Sequence, residues 1–161
     1  MPDATFTVEG LPELVAKMEG LSYDLKRKGG RFALRKAANL VRDKAKESAQ
    51  RLDDPETGQS VADNIAVRFA PRVFRQTGDL MFRVGVLKGA VLRKAGDTSA
   101  GSPTPHWRLL EFGTEKMQAR PFMRPALAEN IEAASREFVV QYGKAIDRAL
   151  RKAAREAARG R

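Results

Sequence analysis

Apolar positions along the chain recur at two different spacings, and the spacing changes mark the elements. After a short extended start, in which Phe6 and Val8 alternate with Thr5, Thr7 and Glu9, Gly10-Leu11-Pro12 marks a turn with proline placed where a helix can begin. Leu11, Leu14, Val15, Met18 and Leu21 then follow at helical spacing, and so do Leu34, Ala37, Ala38, Val41, Ala45, Ala49 and Leu52. The pattern predicts one long helix from about Leu11 to Leu52, kinked or split at Gly29-Gly30, because paired glycine is costly inside a helix. The polar run from Asp53 to Ser60 ends it.

Period-two alternation then takes over. Ile65, Val67 and Phe69 alternate with Asn64, Ala66 and Arg68, and Val73 extends the expected strand past Pro71 on an edge or bulge. Gln76-Thr77-Gly78-Asp79 supplies a turn, after which Leu80, Phe82, Val84 and Val86 alternate with Met81, Arg83 and Gly85. The two runs predict an antiparallel hairpin with one face against the helices. Residues 88–105 lose periodicity and read as a long exposed loop. His106 to Thr114 reads as a short helix stopped by glycine. A final helix opens at Pro125, with Leu127, Ile131, Ala134, Phe138, Ile146 and Leu150 inward and only Gly143 as a candidate break. The expected fold is α+β: a long N-terminal and a long C-terminal helix packed on a small antiparallel sheet. Residues 1–150 form one domain in this reading and 151–161 a basic helical tail.

Composition narrows the function classes. A chain of 161 residues, 42% hydrophobic and 31% charged, suits a single soluble core, and no apolar run approaches the roughly 20 residues that span a bilayer. The first residues lack the pattern of a secretory signal. There is no cysteine, hence no disulfide, thiolate site or Cys nucleophile. His106 is the only histidine and has no triad context; Asp53 and Asp54 are ordinary helix-end acids; Glu111 and Glu115 flank a glycine; and no glycine cluster completes a phosphate loop. These residues point to no reaction, no metal and no cofactor.

The formal charge of +10 changes the picture in the other direction, toward polyanions. Lys26, Arg27, Lys28, Arg31, Arg35 and Lys36 crowd the first helix, and Lys144, Arg148, Arg151, Lys152, Arg155, Arg159 and Arg161 the end of the last. Part of such charge is a solvated helix face with nearby partners, as Asp43 and Glu47 are for Lys44 and Lys46. The excess of cations suits DNA or an acidic neighbour, and the scarcity of interleaved aromatics limits any DNA contact to phosphates.

The stretch from Leu110 to Ala126 carries a motif: a Glu-Phe-Gly-Thr core at 111–114, a short polar link, then Ala-Arg-Pro-Phe-Met-Arg-Pro-Ala from Ala119 to Ala126. It resembles the signature of the tail-completion, or neck, family of long-tailed, lambda-like bacteriophages. The order of long helix, hairpin, motif and last helix fits the same family, by pattern only. In the motif and just ahead of it, Trp107, Phe112 and Phe122 are expected in the core, Glu111, Arg120 and Arg124 in a polar network, Gly113 and Thr114 in a turn, and Pro121 and Pro125 as rigid entries to the helix. The resemblance implies a tail-terminator-like fold and a structural, non-enzymatic virion protein, assembled in the bacterial host cytoplasm. It further implies a homo-oligomeric ring, hexameric by that likeness, between the head connector or stopper proteins and the tail terminator and tube, through which DNA passes. The loop at 88–105 would then be an inter-subunit or inter-ring arm. The alternatives are a tail terminator capping the tube and, in another class, a basic DNA-binding accessory protein; a toxin-like or nuclease enzyme is disfavoured by the lack of an acid, base or metal cluster.

Overall fold

The computed structural model describes residues 9–19, 21–52, 60–87 and 104–159. The extended start at 5–8, the helix-ending run at 53–59 and nearly all of the predicted loop lie outside the described residues. In chain order the elements are α1 (Leu11–Met18), α2 (Tyr23–Gln50), a 3-10 turn (Ala62–Asn64), β1 (Ile65–Phe69), α3 (Pro71–Thr77), β2 (Phe82–Val86), α4 (Trp107–Phe112), α5 (Met123–Ala128) and α6 (Ile131–Arg159). The α+β class with long helices near both ends is what the pattern predicts. The described residues fall into two compact units, the first within 1–37, 70–81 and 132–161 and the second within 38–69 and 82–131.

The first unit is helix on helix. Leu14 of α1, Ala33 of α2 and Tyr142 and Ile146 of α6 are buried together, with Met18, Leu21, Phe138 and Val139 packed against them. The expected break of the first helix is displaced: α2 runs without interruption through Gly29 and Gly30, and the chain turns between Met18 and Tyr23. The glycines are there for packing. A Cβ at Gly29 would lie 3.1 Å from Tyr142 Cε2 and 3.3 Å from Ala145 Cβ, and one at Gly30 would lie 3.3 Å from Leu80 Cδ1. Removing both side chains lets α6 approach the α2 backbone, and the Tyr142 hydroxyl then donates to Lys26 O at 2.9 Å. Burial raises the Tyr142 pKa, which keeps the phenol protonated and able to donate.

Val73 does not extend a strand. It lies in α3, which starts on Pro71 and ends at Gly78, whose φ of 80° permits the N–H to reach Phe74 O at 2.9 Å. Proline fixes φ at a helical value and forfeits a hydrogen bond the first turn never makes, so Ala70-Pro71 opens a helix here. The last helix differs in the same way. It is two helices, α5 and α6, separated at Glu129-Asn130, where the Asn130 amide donates to Ala126 O at 3.0 Å; Gly143 interrupts nothing. Of the residues expected inward, Ile146 is buried, whereas Leu127, Ile131 and Leu150 are exposed.

The second unit packs the C-terminal half of α2 beside a two-stranded sheet. β1 and β2 are antiparallel, with Ile65 opposite Val86, Val67 opposite Val84 and Phe69 opposite Phe82. Ala45, Ala49, Val61, Ala62, Ile65, Phe122 and Ala126 form the buried cluster, with Leu52, Val84, Val86, Trp107, Leu110 and Met123 around it. The helix contributes mostly alanines and the neighbours large side chains, so small and large surfaces interdigitate. Full burial of Ile65 and Phe122 contributes about 1.5–3 kcal/mol each by apolar transfer.

Candidate functional site

The motif folds into a corner between α4 and α5 that one carboxylate organises. α4 places Glu111 in its last turn, where the side chain is 2% exposed. Glu111 Oε2 accepts the backbone N–H groups of Phe122 at 2.8 Å and Met123 at 3.0 Å, and Oε1 accepts that of Arg124 at 3.1 Å. A helix leaves its first four N–H groups without intrahelical acceptors. In α5 those positions are Phe122, Met123, Arg124 and Pro125, and proline has no N–H, so this one carboxylate satisfies the whole N-terminus from eleven or more residues away in sequence. Arg124 completes the arrangement: Nε donates to Oε1 at 3.1 Å and Nη2 to the Glu111 carbonyl at 2.7 Å. Burial pushes the Glu111 pKa up, but the three backbone donors and the guanidinium outweigh it and hold the carboxyl below its ordinary value.

Gly113 makes the corner possible. Its φ of 74° and ψ of −177° belong to a region that only glycine occupies readily, and a Cβ there would lie 2.8 Å from Ala119 N and 2.9 Å from Met117 O. Thr114 closes the link as a side-chain turn, its Oγ1 accepting from Met117 N at 3.0 Å and Lys116 N at 3.3 Å. Arg120 N then donates to Leu110 O at 2.7 Å, which returns the chain to α4. Pro121 follows as a rigid step before Phe122 enters the core.

Two expectations need correction. Phe112 is not in the core but 64% exposed, with the Arg124 guanidinium over its ring at 5.2 Å; the inward direction of α4 at this point belongs to Glu111. Arg120 is exposed and joins the network through its backbone. Trp107 packs partly buried against the core, with Arg108 over its ring at 5.6 Å.

The basic residues are placed on two helices of the first unit. Arg27 pairs with Asp24 at 3.6 Å and lies over Phe74 at 5.6 Å, Lys26 offers its carbonyl to Tyr142, and Lys28, Arg31 and Arg35 are exposed. On α6, Arg148, Arg151, Lys152 and Arg155 are exposed, and Lys152 reaches Glu156 at 3.7 Å. What joins the clusters is Phe32, which composition hid among lysines and arginines: Lys36 Nζ lies 5.8 Å and Arg148 Cζ 5.9 Å from its ring centroid. Its i, i+4 spacing to Lys36 was the available signal. Sequence reasoning also missed the buried bond from Asn64 Nδ2 to Thr104 Oγ1 at 2.8 Å, which ties the chain ahead of α4 to the second unit's core. Among the described residues no group of three His, Asp or Glu side chains could hold a metal ion.

The model of one protein family, described as "Bacteriophage HK97-gp10, putative tail-component", matches residues 13–113. The match runs from α1 to the Glu111-Phe112-Gly113 half of the corner, while the half from Arg120 to Pro125 follows it. No curated protein and no solved structure matches the chain. With well over half of its length covered, the chain belongs to the HK97-gp10-like family of bacteriophage tail components.

Proposed function

We propose that this tail component is a structural subunit of the head–tail junction, forming with copies of itself part of a ring that joins tail to head and lets DNA pass. The observation that carries the reading, beside family membership, is the apolar surface left exposed at the rigid corner. Leu109 and Phe112 project one helical turn apart from α4, 48% and 64% exposed, and Leu127, one turn after the Arg124 that covers Phe112, is 52% exposed. Large exposed side chains on a locked backbone are what a subunit needs to meet neighbours without reorganising, and interface cores are enriched in just such residues. The partners in this reading are neighbouring copies, the head connector or stopper and the tail terminator and tube. The corner holds and presents surface and performs no reaction.

Replacing both Leu109 and Phe112 by Asp tests it. The variant is expected to keep its helical circular dichroism, because both side chains are exposed, yet to yield free heads and tails by electron microscopy in place of joined particles. Normal yields of joined, infectious particles from the variant would overturn the reading. Locating the subunit in wild-type particles separates a neck position from the tip of the tail tube.

A further inference from the structure

Lys144, Arg148, Arg151 and Arg155 recur at spacings of four, three and four, which puts them in one stripe about 16 Å long on α6. Lys28, Phe32, Arg35 and Lys36 form a matching stripe on α2. The Arg148–Phe32 contact shows that the two stripes meet on the same side of the α2–α6 pair, and Lys36 shares that ring. Among the described residues no carboxylate lies within ion-pair distance of Lys28, Arg35, Lys36, Lys144, Arg148 or Arg151. The two acids on this part of α6 are already engaged, Asp147 with Lys17 at 3.5 Å and Glu156 with Lys152 at 3.7 Å. Like charges gathered on one ring without counter-charge repel, so the face favours an external polyanion.

We propose that this face of the α2–α6 pair binds the phosphate backbone of duplex DNA, without reading sequence. An acidic protein is the weaker fit because protein interfaces bury an apolar core depleted in lysine. Past Leu150 the apolar residues of α6 are all alanines, and Phe32 is flanked by cations. A duplex instead presents about one negative charge per 1.7 Å of axis, dense enough to engage a 16 Å stripe along its length. The inference goes beyond the junction reading and stands separately from it.

Fluorescence anisotropy of the full chain with a short mixed-sequence duplex, titrated over a range of potassium chloride, tests it. Wild type is expected to bind with a steep linear fall of log K against log salt. The double variant Lys36→Gln, Arg148→Gln should lower that slope by about 2 and weaken binding roughly ten- to a hundredfold at 0.1 M salt, the effect of two lost counterion releases. Truncation after Leu150 should lower the slope further. The charge-matched variant Arg68→Gln, Arg83→Gln, which alters the sheet face, is expected to change it little. Absence of salt-dependent binding, equal losses in the sheet variant, or displacement of DNA by poly-glutamate at lower charge concentration would overturn the proposal, the last by assigning the face to an acidic protein. None of these outcomes depends on whether the Leu109, Phe112 variant assembles particles.

Discussion

Glu111 shows how a single side chain in this protein acts as a backbone element. Because it supplies every hydrogen bond that the start of α5 lacks, Glu111→Gln replaces a charged acceptor of several N–H groups by a neutral amide with one oxygen, leaving donors unsatisfied. The expected cost is about 2–3 kcal/mol in urea unfolding at neutral pH. The folded protein holds the Glu111 carboxyl below its ordinary pKa of 4.5, so the unfolded chain takes up the proton first as pH falls. Its contribution is therefore complete above about pH 4.5 and is lost as pH drops through the lower folded value. Wild type should lose stability across that window, and Glu111→Gln should show less of this loss. Gly113→Ala is the companion case: backbone atoms at 2.8 and 2.9 Å cannot move aside as side chains do, so thermal unfolding should report a loss of about 2 kcal/mol or more. The glycine was legible in the motif as a turn. The role of Glu111 as a distant cap was not, since nothing in the residues themselves says which donors lie beside them after folding.

Between elements, helical spacing found the long helices, the glycine stop found α4, and period-two alternation found the pairing of β1 with β2, but the pattern misplaced several ends. The reason is specific. Intrinsic propensity penalises Gly29-Gly30 by about 1 kcal/mol each, yet tight packing of α6 against those positions offsets the cost, so the helix continues where an isolated peptide would break. Substituting Gly29→Leu, which improves helix propensity, is accordingly expected to destabilise the protein by about 1–3 kcal/mol in chemical denaturation, since the new side chain must displace Tyr142 and Ala145. An increase in stability would show that the glycines serve something other than close approach. Pro71 misled in the opposite sense: proline demotes a strand and equally well starts a helix, and only the left-handed Gly78 seven residues later decides for the helix.

At the scale of the whole molecule, the separation of the roles proposed for the corner and the basic helices has a consequence for stability. The side chains from Arg151 to Arg159 are all exposed, so truncation after Leu150 should leave the melting temperature nearly unchanged while removing much of the basic stripe. Loss of folding on truncation would mean that the tail is part of a core. The corner, by contrast, holds its own backbone, so changes to its exposed apolar residues should affect assembly before they affect folding. The amino-acid sequence by itself determined the α+β class, the helical and alternating runs, the surplus of positive charge and the family motif, because these depend on periodicity, composition and local order along the chain. Tertiary structure alone decided that Glu111 caps α5, that Gly29 and Gly30 admit Tyr142, that Phe112 faces outward, and that Arg148 meets Phe32. Each of these joins groups distant in sequence or sets an outward face, and the deciding terms, burial, close approach and hydrogen-bond satisfaction, exist only once the chain is packed.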